Sequence, residues 1–248
     1  MKLEIGSNDH FEVRHEIYPA NIKGTFSVLY LSDLHLNRFG KSIIGKIIRH
    51  INELDPDIIL LGGDYVDFKR QLVHLARLLK GLAHRKNVLA IAGNHDYRFG
   101  VDTIEKLMKA NHITWIENDS ITLSFNNNTI RIDGSKPVAK KSQADFSILC
   151  LHQPVDINLF KNNYHLAFAG HLHGCQFVFW QNHKGLYPGR LFYKWNTLLK
   201  SQDDCRYYIS KGMGDTLPVR LNCSKEMIFV QVTSNNDKND ASLIKLLP

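Results

Sequence analysis

Aspartate, asparagine and histidine side chains recur in this sequence shortly after apolar runs. Asp33 and His35 follow the run FSVLYL, and Asp64 follows the run IILL across two glycines. Asn94 and His95 follow the run VLAI in the sequence GNHD. In an extended backbone, residues two apart point to the same face, so Asp33 and His35 are directed together. Carboxylate, amide and imidazole groups gathered in this way indicate a divalent metal site.

Three further histidines extend the pattern in the second half of the chain. His152 follows the apolar run FSILCL, and His171 and His173 follow LAFA. Mixed nitrogen and oxygen donors suit Mn, Fe or Zn rather than calcium, which takes oxygen ligands only. Taken singly, such residues are as well explained as helix caps, turn residues or hydrogen-bonded histidines. Their presence after five separate apolar runs favours the metal site.

Asp64 has the position of a bridging ligand. It leaves a buried run after two glycines, so its carboxylate is free to lean into a crevice and offer one oxygen to each of two ions. Two ions about 3.5–4 Å apart are the usual clamp for phosphate ester hydrolysis. We therefore predict a dinuclear site around Asp64.

The elements that must position these residues alternate between strand and helix in the first half. Apolar runs predict buried strands, and apolar residues at helical spacing predict helices. In chain order these segments are 26–31, 41–54, 58–61, 72–82, 88–91 and 101–110. Such alternation predicts βαβ units and a parallel sheet, with functional groups at its carboxyl edge. Shorter strands follow at 121–125, 129–133, 146–151, 166–169, 175–180, 207–210 and 227–232.

Composition and charge restrict the function classes. The 248 residues suit one domain, 1–248, in which the polar segment 233–248 forms a loose tail. The formal net charge of +7 favours an anionic partner. Four cysteines without a Cys-x-x-Cys pair indicate a reducing compartment. Because the sequence shows neither a signal peptide nor about 18 consecutive apolar residues, we expect a cytoplasmic protein.

Five motifs in this order resemble the calcineurin-like metallophosphoesterase superfamily. They are D-x-H at 33–35, G-D-x-x-D at 63–67, G-N-H-D at 93–96, the lone His152, and G-H-x-H at 170–173. The resemblance implies an α/β fold, a four-layer α/β/β/α sandwich of two mixed sheets. It also implies a metal-dependent phosphoric ester or pyrophosphate hydrolase.

The resemblance further implies a role for each motif residue. One ion would be bound by Asp33, His35, Asp64 and His173, and the second by Asp64, Asn94, His152 and His171. His95 would be the general acid or a phosphate-polarising imidazole. Asp67 would orient the His95 ring, since a carboxylate partner is the usual way to fix a histidine tautomer.

The details are similar to a compact bacterial phosphodiesterase branch of this superfamily, which includes UDP-2,3-diacylglucosamine diphosphatases of lipid A synthesis. The late sequence GMGDTLPVR at 212–220 resembles that branch. That branch usually has two glycines before the glutamine, whereas this sequence has Gly174-Cys175-Gln176. The shape of the pocket wall is therefore not predicted. Phe68-Lys69 replaces the Arg-Gly pair of protein Ser/Thr phosphatases.

The segment 177–195 is rich in aromatic and basic residues, which favours a lipid-linked anionic substrate and peripheral contact with the inner face of an anionic membrane. Its alternative is a strand and loop packed on the core. Arg38 and Arg220 are candidate phosphate contacts, or else surface charges. No nucleic acid is expected, since basic residues form no stripe with stacking aromatics. The alternative functions are a soluble phosphodiesterase for cyclic nucleotides or glycerophosphodiesters, and a non-catalytic binding scaffold.

Overall fold

Two six-stranded sheets face each other across an apolar core. A computed structural model describes residues 2–5, 10–37, 40–215, 217 and 219–235 of the chain. Within these residues, no helix is both long enough and apolar enough to cross a lipid bilayer.

The strands are β1 (Leu3–Ile5), β2 (Glu12–Ala20), β3 (Phe26–Leu31), β4 (Ile58–Leu61), β5 (Val88–Ala90), β6 (Thr114–Trp115), β7 (Ser120–Phe125), β8 (Asn128–Gly134), β9 (Phe146–Cys150), β10 (Leu166–Ala169), β11 (Val178–Asn182), β12 (Gly185–Pro188), β13 (Leu199–Gln202), β14 (Cys205–Ile209), β15 (Val219–Leu221) and β16 (Glu226–Ser234). The α-helices are α1 (Gly40–Leu54), α2 (Leu72–Leu82), α3 (Asn94–Phe99), α4 (Val101–Ala110) and α5 (Gly189–Phe192). Short 3₁₀ helices span Lys69–Gln71, Ile157–Leu159 and His173–Cys175.

Both large sheets mix parallel and antiparallel strands. The first has the order β2-β16-β3-β4-β5-β6, and only β16 and β3 run antiparallel to each other. The second has the order β13-β14-β10-β9-β8-β7, with antiparallel pairs at its two edges. The predicted fold class of two mixed sheets is therefore confirmed.

Strand β3 shows how the sequence builds the layers. Phe26, Val28 and Tyr30 point into the core between the sheets. Leu29 and Leu31 point the other way, into the core beneath α1, α2 and α4. Because both faces are covered, the strand is apolar at every position except Ser27, as the run FSVLYL predicts. The chain leaves β3 at Ser32 and delivers Asp33 to the carboxyl edge of the sheet.

The outer layers of the sandwich are unequal. Helices α1, α2 and α4 cover the first sheet. The second sheet is covered by Ile157, Phe160 and Tyr164, from a segment that contains only the 3₁₀ helix Ile157–Leu159. The fourth layer is thus thinner than the family pattern implies, because the short connection from β9 to β10 forms no α-helix.

Several boundaries differ from the sequence-based prediction; the predicted strand 175–180, for example, is observed at Val178–Asn182. Strand β16 continues through Ser234, because Thr233 and Ser234 pair with Pro19 and Ala20 of β2. The predicted loose tail therefore does not begin at Thr233, and residues 236–248 lie outside the described part of the chain. The GNHD segment, predicted as a turn, forms the start of helix α3.

Candidate metal centre

Loops from both sheets bring the predicted ligands together at one edge. Asp33, His35 and His173 form one group of donors, whose ligand atoms all lie within 4.8 Å of one another. Asp64, His152 and His171 form a second group by the same measure. Each group contains residues from both sheets, so the site lies where the two sheets meet.

Asp64 lies between the two groups. Its Oδ2 atom is 3.7 Å from Nε2 of His35 and 3.4 Å from Nε2 of His152. Asn94 joins the second group, since its Oδ1 atom is 2.8 Å from Nε2 of His152. The backbone N–H of His95 donates to Oδ1 of Asp64 at 2.8 Å, which fixes the carboxylate.

Three histidines present the same nitrogen to the site. The Nδ1 atom of His35 lies 2.6 Å from Asp67 Oδ1. The Nδ1 atom of His152 lies 2.9 Å from the Gly62 carbonyl, and that of His173 lies 3.2 Å from the Gly214 carbonyl. A carbonyl or carboxylate oxygen only accepts hydrogen bonds, so Nδ1 carries a proton in each ring. Nε2 is the nitrogen directed at the other donors, which is the usual orientation of a metal-binding histidine.

The site fits divalent transition ions. Nε2 of His35 is buried and has no hydrogen-bond partner among the described residues. A buried nitrogen without a partner is costly unless something else occupies its lone pair. Imidazole nitrogens with carboxylate and amide oxygens suit ions such as Mn, Fe or Zn. The orphaned nitrogen and the donor chemistry together indicate metal binding.

Five of the candidate ligands have strained backbones, although positive φ angles also occur elsewhere in the chain. Positive φ angles occur at Asp33 (53°), His35 (39°), Asp64 (56°), His171 (70°) and His173 (50°). Such backbone conformations cost side-chain-bearing residues about 1–3 kcal/mol each, and they cluster at functional sites. The surrounding core therefore holds these loops in conformations that their own sequence disfavours.

Asp96 ties two of the motif loops together. Its side chain is buried, and Oδ2 accepts the backbone N–H groups of Asp64 (2.7 Å) and Gly93 (2.8 Å). Oδ1 accepts the N–H of Tyr65 at 3.1 Å. A side chain at Gly93 would collide with the Asp64 carboxylate, which explains the glycine. Asp96 therefore supports the Asp64 loop.

Proton occupancy of the histidines follows from burial and the neighbouring acids. Burial lowers the pKa of His152, but the hydrogen bond to Asp64 and the charges of Asp33 and Asp64 raise the pKa to about 9. Burial raises the pKa of Asp64, but the bond to His152 and nearby charges lower the pKa to about 2. For His173, burial dominates and lowers the pKa to about 4. At neutral pH the metal-free site thus holds His173 neutral and His152 protonated.

A proton must therefore leave when the second group binds an ion. We expect Mn²⁺ binding to release the His152 proton, and the apparent affinity to rise about tenfold per pH unit until the pH reaches the His152 pKa. Calorimetric titrations in buffers of different ionisation enthalpy measure both quantities. An affinity that is flat below a pH of about 9, with no proton released, would contradict this prediction.

Asp67 has a different partner from the predicted one. Its Oδ1 atom is 2.6 Å from Nδ1 of His35 but 3.8 Å from Nδ1 of His95, which is too far for a hydrogen bond. The prediction that Asp67 orients His95 is therefore wrong for this structure, because the nearer His35 ring takes the bond. His95 Nδ1 is buried without a hydrogen-bond partner in the described part of the chain.

Arg220 is a structural residue and not a phosphate contact. Its side chain is 2% exposed, and Nε is 2.6 Å from Asp215 Oδ1. The other guanidinium nitrogens donate to the carbonyls of Cys223, Lys211 and Gly214. The predicted phosphate role is thus wrong, because every donor is already used inside the protein. Arg38, the other predicted contact, lies outside the described residues.

The Arg220 network supports the first donor group. Arg220 holds the Gly214 carbonyl, which accepts from Nδ1 of His173, and the Gly214 N–H donates to the Asp33 carbonyl. Asp215 also pairs with the buried Lys225 at 2.8 Å. The segment 211–215 thus supports two candidate ligands, and most of it belongs to the sequence GMGDTLPVR that resembles the phosphodiesterase branch.

We predict that Arg220→Lys destabilises both the fold and the first donor group. A lysine keeps the charge but cannot reproduce the planar set of donors. Because buried carbonyls lose their donors, we expect the unfolding free energy to fall by about 1–3 kcal/mol and metal affinity to fall about 10–100-fold. Denaturant unfolding and metal titration measure the two effects.

Arg131→Lys is the matched control for this variant. Arg131 also pairs with an aspartate, Asp133, but it is partly exposed, so we expect a loss of at most about 1 kcal/mol. Equal losses in the two variants would show that Arg220 has no special structural role.

The pocket next to the donors has an apolar rim. His35, Asp64, Asn94, His95, His171, Leu172, His173, Cys175, Gln176, Tyr193 and Leu217 line it. Gln176 is buried and hydrogen-bonded to both the N–H and the carbonyl of Leu217, so it fixes that part of the rim. The sequence analysis connected Gln176 with the pocket wall, but the hydrogen bonds between Gln176 and Leu217 depend on the folded structure.

The predicted aromatic segment is partly exposed. It comprises β11, β12, α5 and the residues up to Trp195. Its large exposed side chains are Phe179, Trp180, Leu191, Phe192 and Tyr193, and Phe192 is 78% exposed. The alternative of a strand and loop packed on the core requires the whole segment to pack there, but only part of it does.

Comparisons with known proteins concern the family. A family model described as calcineurin-like phosphoesterase matches residues 26–175. The chain is 24% identical to an uncharacterized metallophosphoesterase from Helicobacter pylori over 89% of its length, but it spans only 63% of that relative. It is 29% identical to the phosphodiesterase YaeI from Escherichia coli, covering 89% of this chain and 87% of the relative.

Solved structures agree on the fold. The 5'-nucleotidase precursor from Thermus thermophilus superposes with a TM-score of 0.52 at 11% identity. The match covers 77% of this chain and 49% of that protein. At this identity the similarity concerns the arrangement of sheets and helices alone.

Proposed function

The chain belongs to the calcineurin-like phosphoesterase family, whose members depend on metal ions, and we propose that it hydrolyses a phosphodiester or pyrophosphate bond with two divalent ions, Mn, Fe or Zn. The first ion would be held by Asp33, His35, Asp64 and His173, and the second by Asp64, Asn94, His152 and His171. Both ions would polarise the phosphoryl group and acidify water.

One observation carries this proposal. A single carboxylate oxygen, Oδ2 of Asp64, lies within 4 Å of a histidine nitrogen in each donor group. A shared anion of this kind is what two cations need in order to approach each other closely, because it screens their repulsion. The low pKa of Asp64 keeps its carboxylate charged at neutral pH.

His95 is assigned the proton transfer. Water attacks phosphorus, the bond from phosphorus to the leaving oxygen breaks, and that oxygen takes a proton. The His95 ring lines the pocket next to Asn94, and its Nδ1 is buried, so Nε2 is the nitrogen available to a substrate. The ring of His35 packs edge-on against it with centroids 4.8 Å apart, which fixes its orientation in place of Asp67.

The favoured substrate is a UDP-linked acylated sugar, as in UDP-2,3-diacylglucosamine hydrolysis for lipid A synthesis. Tyr193 and Leu217 bring apolar surface to the pocket itself, and Leu191 and Phe192, which directly precede Tyr193 in the chain, are exposed. Acyl chains would cover such a surface, whereas a small hydrophilic diester would leave it in water.

The same surface supports peripheral contact with the cytoplasmic face of an anionic membrane. Basic side chains at Arg190 and Lys194 flank the exposed Leu191, Phe192 and Tyr193. Apolar side chains beside cations are typical of segments that bind at an anionic lipid interface. All four cysteines are free, as is usual in a reducing compartment.

A soluble phosphodiesterase for cyclic nucleotides or glycerophosphodiesters is the second candidate. The Escherichia coli relative is named a phosphodiesterase, which favours diester hydrolysis without specifying a lipid. A non-catalytic scaffold is disfavoured, because every motif residue from Asp33 to His173 is retained.

Release of UMP from UDP-2,3-diacylglucosamine, compared with hydrolysis of bis-p-nitrophenyl phosphate and cyclic AMP, tests the proposal. We expect Mn²⁺-dependent release that is stimulated by mixed detergent micelles and lost with excess chelator. Hydrolysis of cyclic AMP alone would favour the second candidate. Full activity in excess chelator would overturn both.

A further inference from the structure

A patch of two aromatic rings and two arginines adjoins the metal centre. The rings of Phe68 and Phe99 lie with centroids 6.2 Å apart and an interplanar angle of 46°. The guanidinium carbon of Arg70 is 5.2 Å from the Phe68 centroid, and that of Arg98 is 5.9 Å from the Phe99 centroid. Phe68 is 53% exposed, so this aromatic–arginine patch faces solvent.

The patch is built on the same elements as the site. Asp67, the partner of His35, directly precedes Phe68 in the chain. Helix α3 places Phe99 one turn after His95 and Arg98 one turn after Asn94, and residues four apart lie on one face of a helix. The His95 and Phe99 centroids are 6.1 Å apart. The rings of His35, His95, Phe99 and Phe68 therefore form a series in which each ring lies next to the following one.

The cations of the patch are available to a ligand. Within the part of the chain that the structure describes, neither Arg70 nor Arg98 forms an ion pair. Exposed aromatic rings with unpaired guanidinium groups bind ligands that combine a flat ring with a phosphate. The rings stack on the base, and the arginines attract the anion.

We propose that the aromatic–arginine patch binds the nucleotide end of the substrate, with the nucleobase stacked on Phe68 and the adjoining phosphate near Arg98. This inference rests on the proposed function, because it assumes a nucleotide-linked substrate. The apolar rim at Leu217 is hydrogen-bonded to Gln176, which lies beside His173. The patch instead adjoins the site at His95, whose ring lies next to that of Phe99. The two ends of a nucleotide-linked lipid would thus have separate surfaces.

Binding of UMP and of ribose 5-phosphate to the Mn²⁺-loaded protein tests the patch. Both probes carry a phosphate, but only UMP carries a base. We expect wild-type protein to prefer UMP, and Phe68→Ala to weaken UMP binding about tenfold or more while leaving ribose 5-phosphate unchanged. Phe68→Trp should retain the preference. Arg98→Gln should weaken both probes alike.

Val73→Ala is the matched control, since it removes an exposed apolar side chain from helix α2 outside the patch. It should leave the binding of both probes unchanged. The proposal is overturned if wild-type protein shows no preference for UMP, or if Phe68→Ala weakens both probes equally.

Turnover separates this inference from the proposed function. Thymidine 5'-monophosphate p-nitrophenyl ester and methyl p-nitrophenyl phosphate share a leaving group and differ in the nucleoside. We expect Phe68→Ala to raise KM for the first ester only. If wild-type protein hydrolyses neither ester yet still prefers UMP, the proposed function fails while the nucleotide site stands.

Discussion

Asp64→Asn should abolish hydrolysis and remove both metal ions together. The Asp64 carboxylate lies between the two donor groups, so its loss affects each of them. Changing a residue that merely supports a metal ligand costs about 10–100-fold in affinity, so losing a charged ligand shared by both ions should cost more than that at each. Metal content after dialysis, together with turnover of bis-p-nitrophenyl phosphate, measures the two losses.

The same variant has a readout in the metal-free protein. Asp64 is the main reason that the His152 pKa rises to about 9, so asparagine should lower that pKa, which NMR titration can follow. Asp102→Asn, at an exposed position in α4, is the control and should leave metal content and the His152 titration unchanged. An Asp64→Asn protein that keeps both ions would refute the bridging role.

Most ligand positions were predictable because local sequence determines them. Asp33, Asp64 and His171 each come shortly after a short apolar run, and such runs become buried strands wherever both faces are covered. Parallel strands end at one edge of a sheet, so residues far apart in sequence become neighbours. Motif spacing and strand topology together are enough to predict the convergence.

The errors concern partners that depend on tertiary structure. Nothing in the sequence distinguishes a buried arginine from an exposed one, so the sequence offers Arg220 as a phosphate contact or a surface charge, whereas its guanidinium group bonds to Asp215 and three carbonyls. Asp67 lies within reach of two histidines, and only the folded loop selects His35 over His95. Which partner a side chain bonds depends on differences in distance of about one ångström, and the spacing of residues in the sequence does not determine such differences.

The missed elements have a similar physical cause. Strand β2 carries charged residues and lies at the edge of its sheet, so it lacks the apolar run that marks β3 and β4. It is held by its long pairing with β16, a contact between the two ends of the chain. Helix α3 is too short to show periodicity, and Asp96 stabilises its start by accepting the N–H of Gly93.

His95→Ala should lower kcat about 10²–10⁴-fold while both ions remain bound. The ring that we assign to proton transfer is lost, but the backbone N–H of residue 95 still donates to Asp64, so the bridging carboxylate stays in place. The loss should depend on the leaving group. It should be large for a glycerophosphodiester, whose alkoxide leaving group needs a proton, and small for p-nitrophenyl esters, because p-nitrophenolate leaves without a proton.

Asp67→Asn distinguishes this role from a structural one. Asp67 bonds to His35 and not to His95, so its change should weaken metal binding at the first donor group and slow all substrates alike. His95→Ala should do the reverse, with full metal content and a leaving-group-dependent loss. If His95→Ala also loses metal, or slows p-nitrophenyl esters as much as the glycerophosphodiester, then the His95 ring supports the site and does not donate the proton.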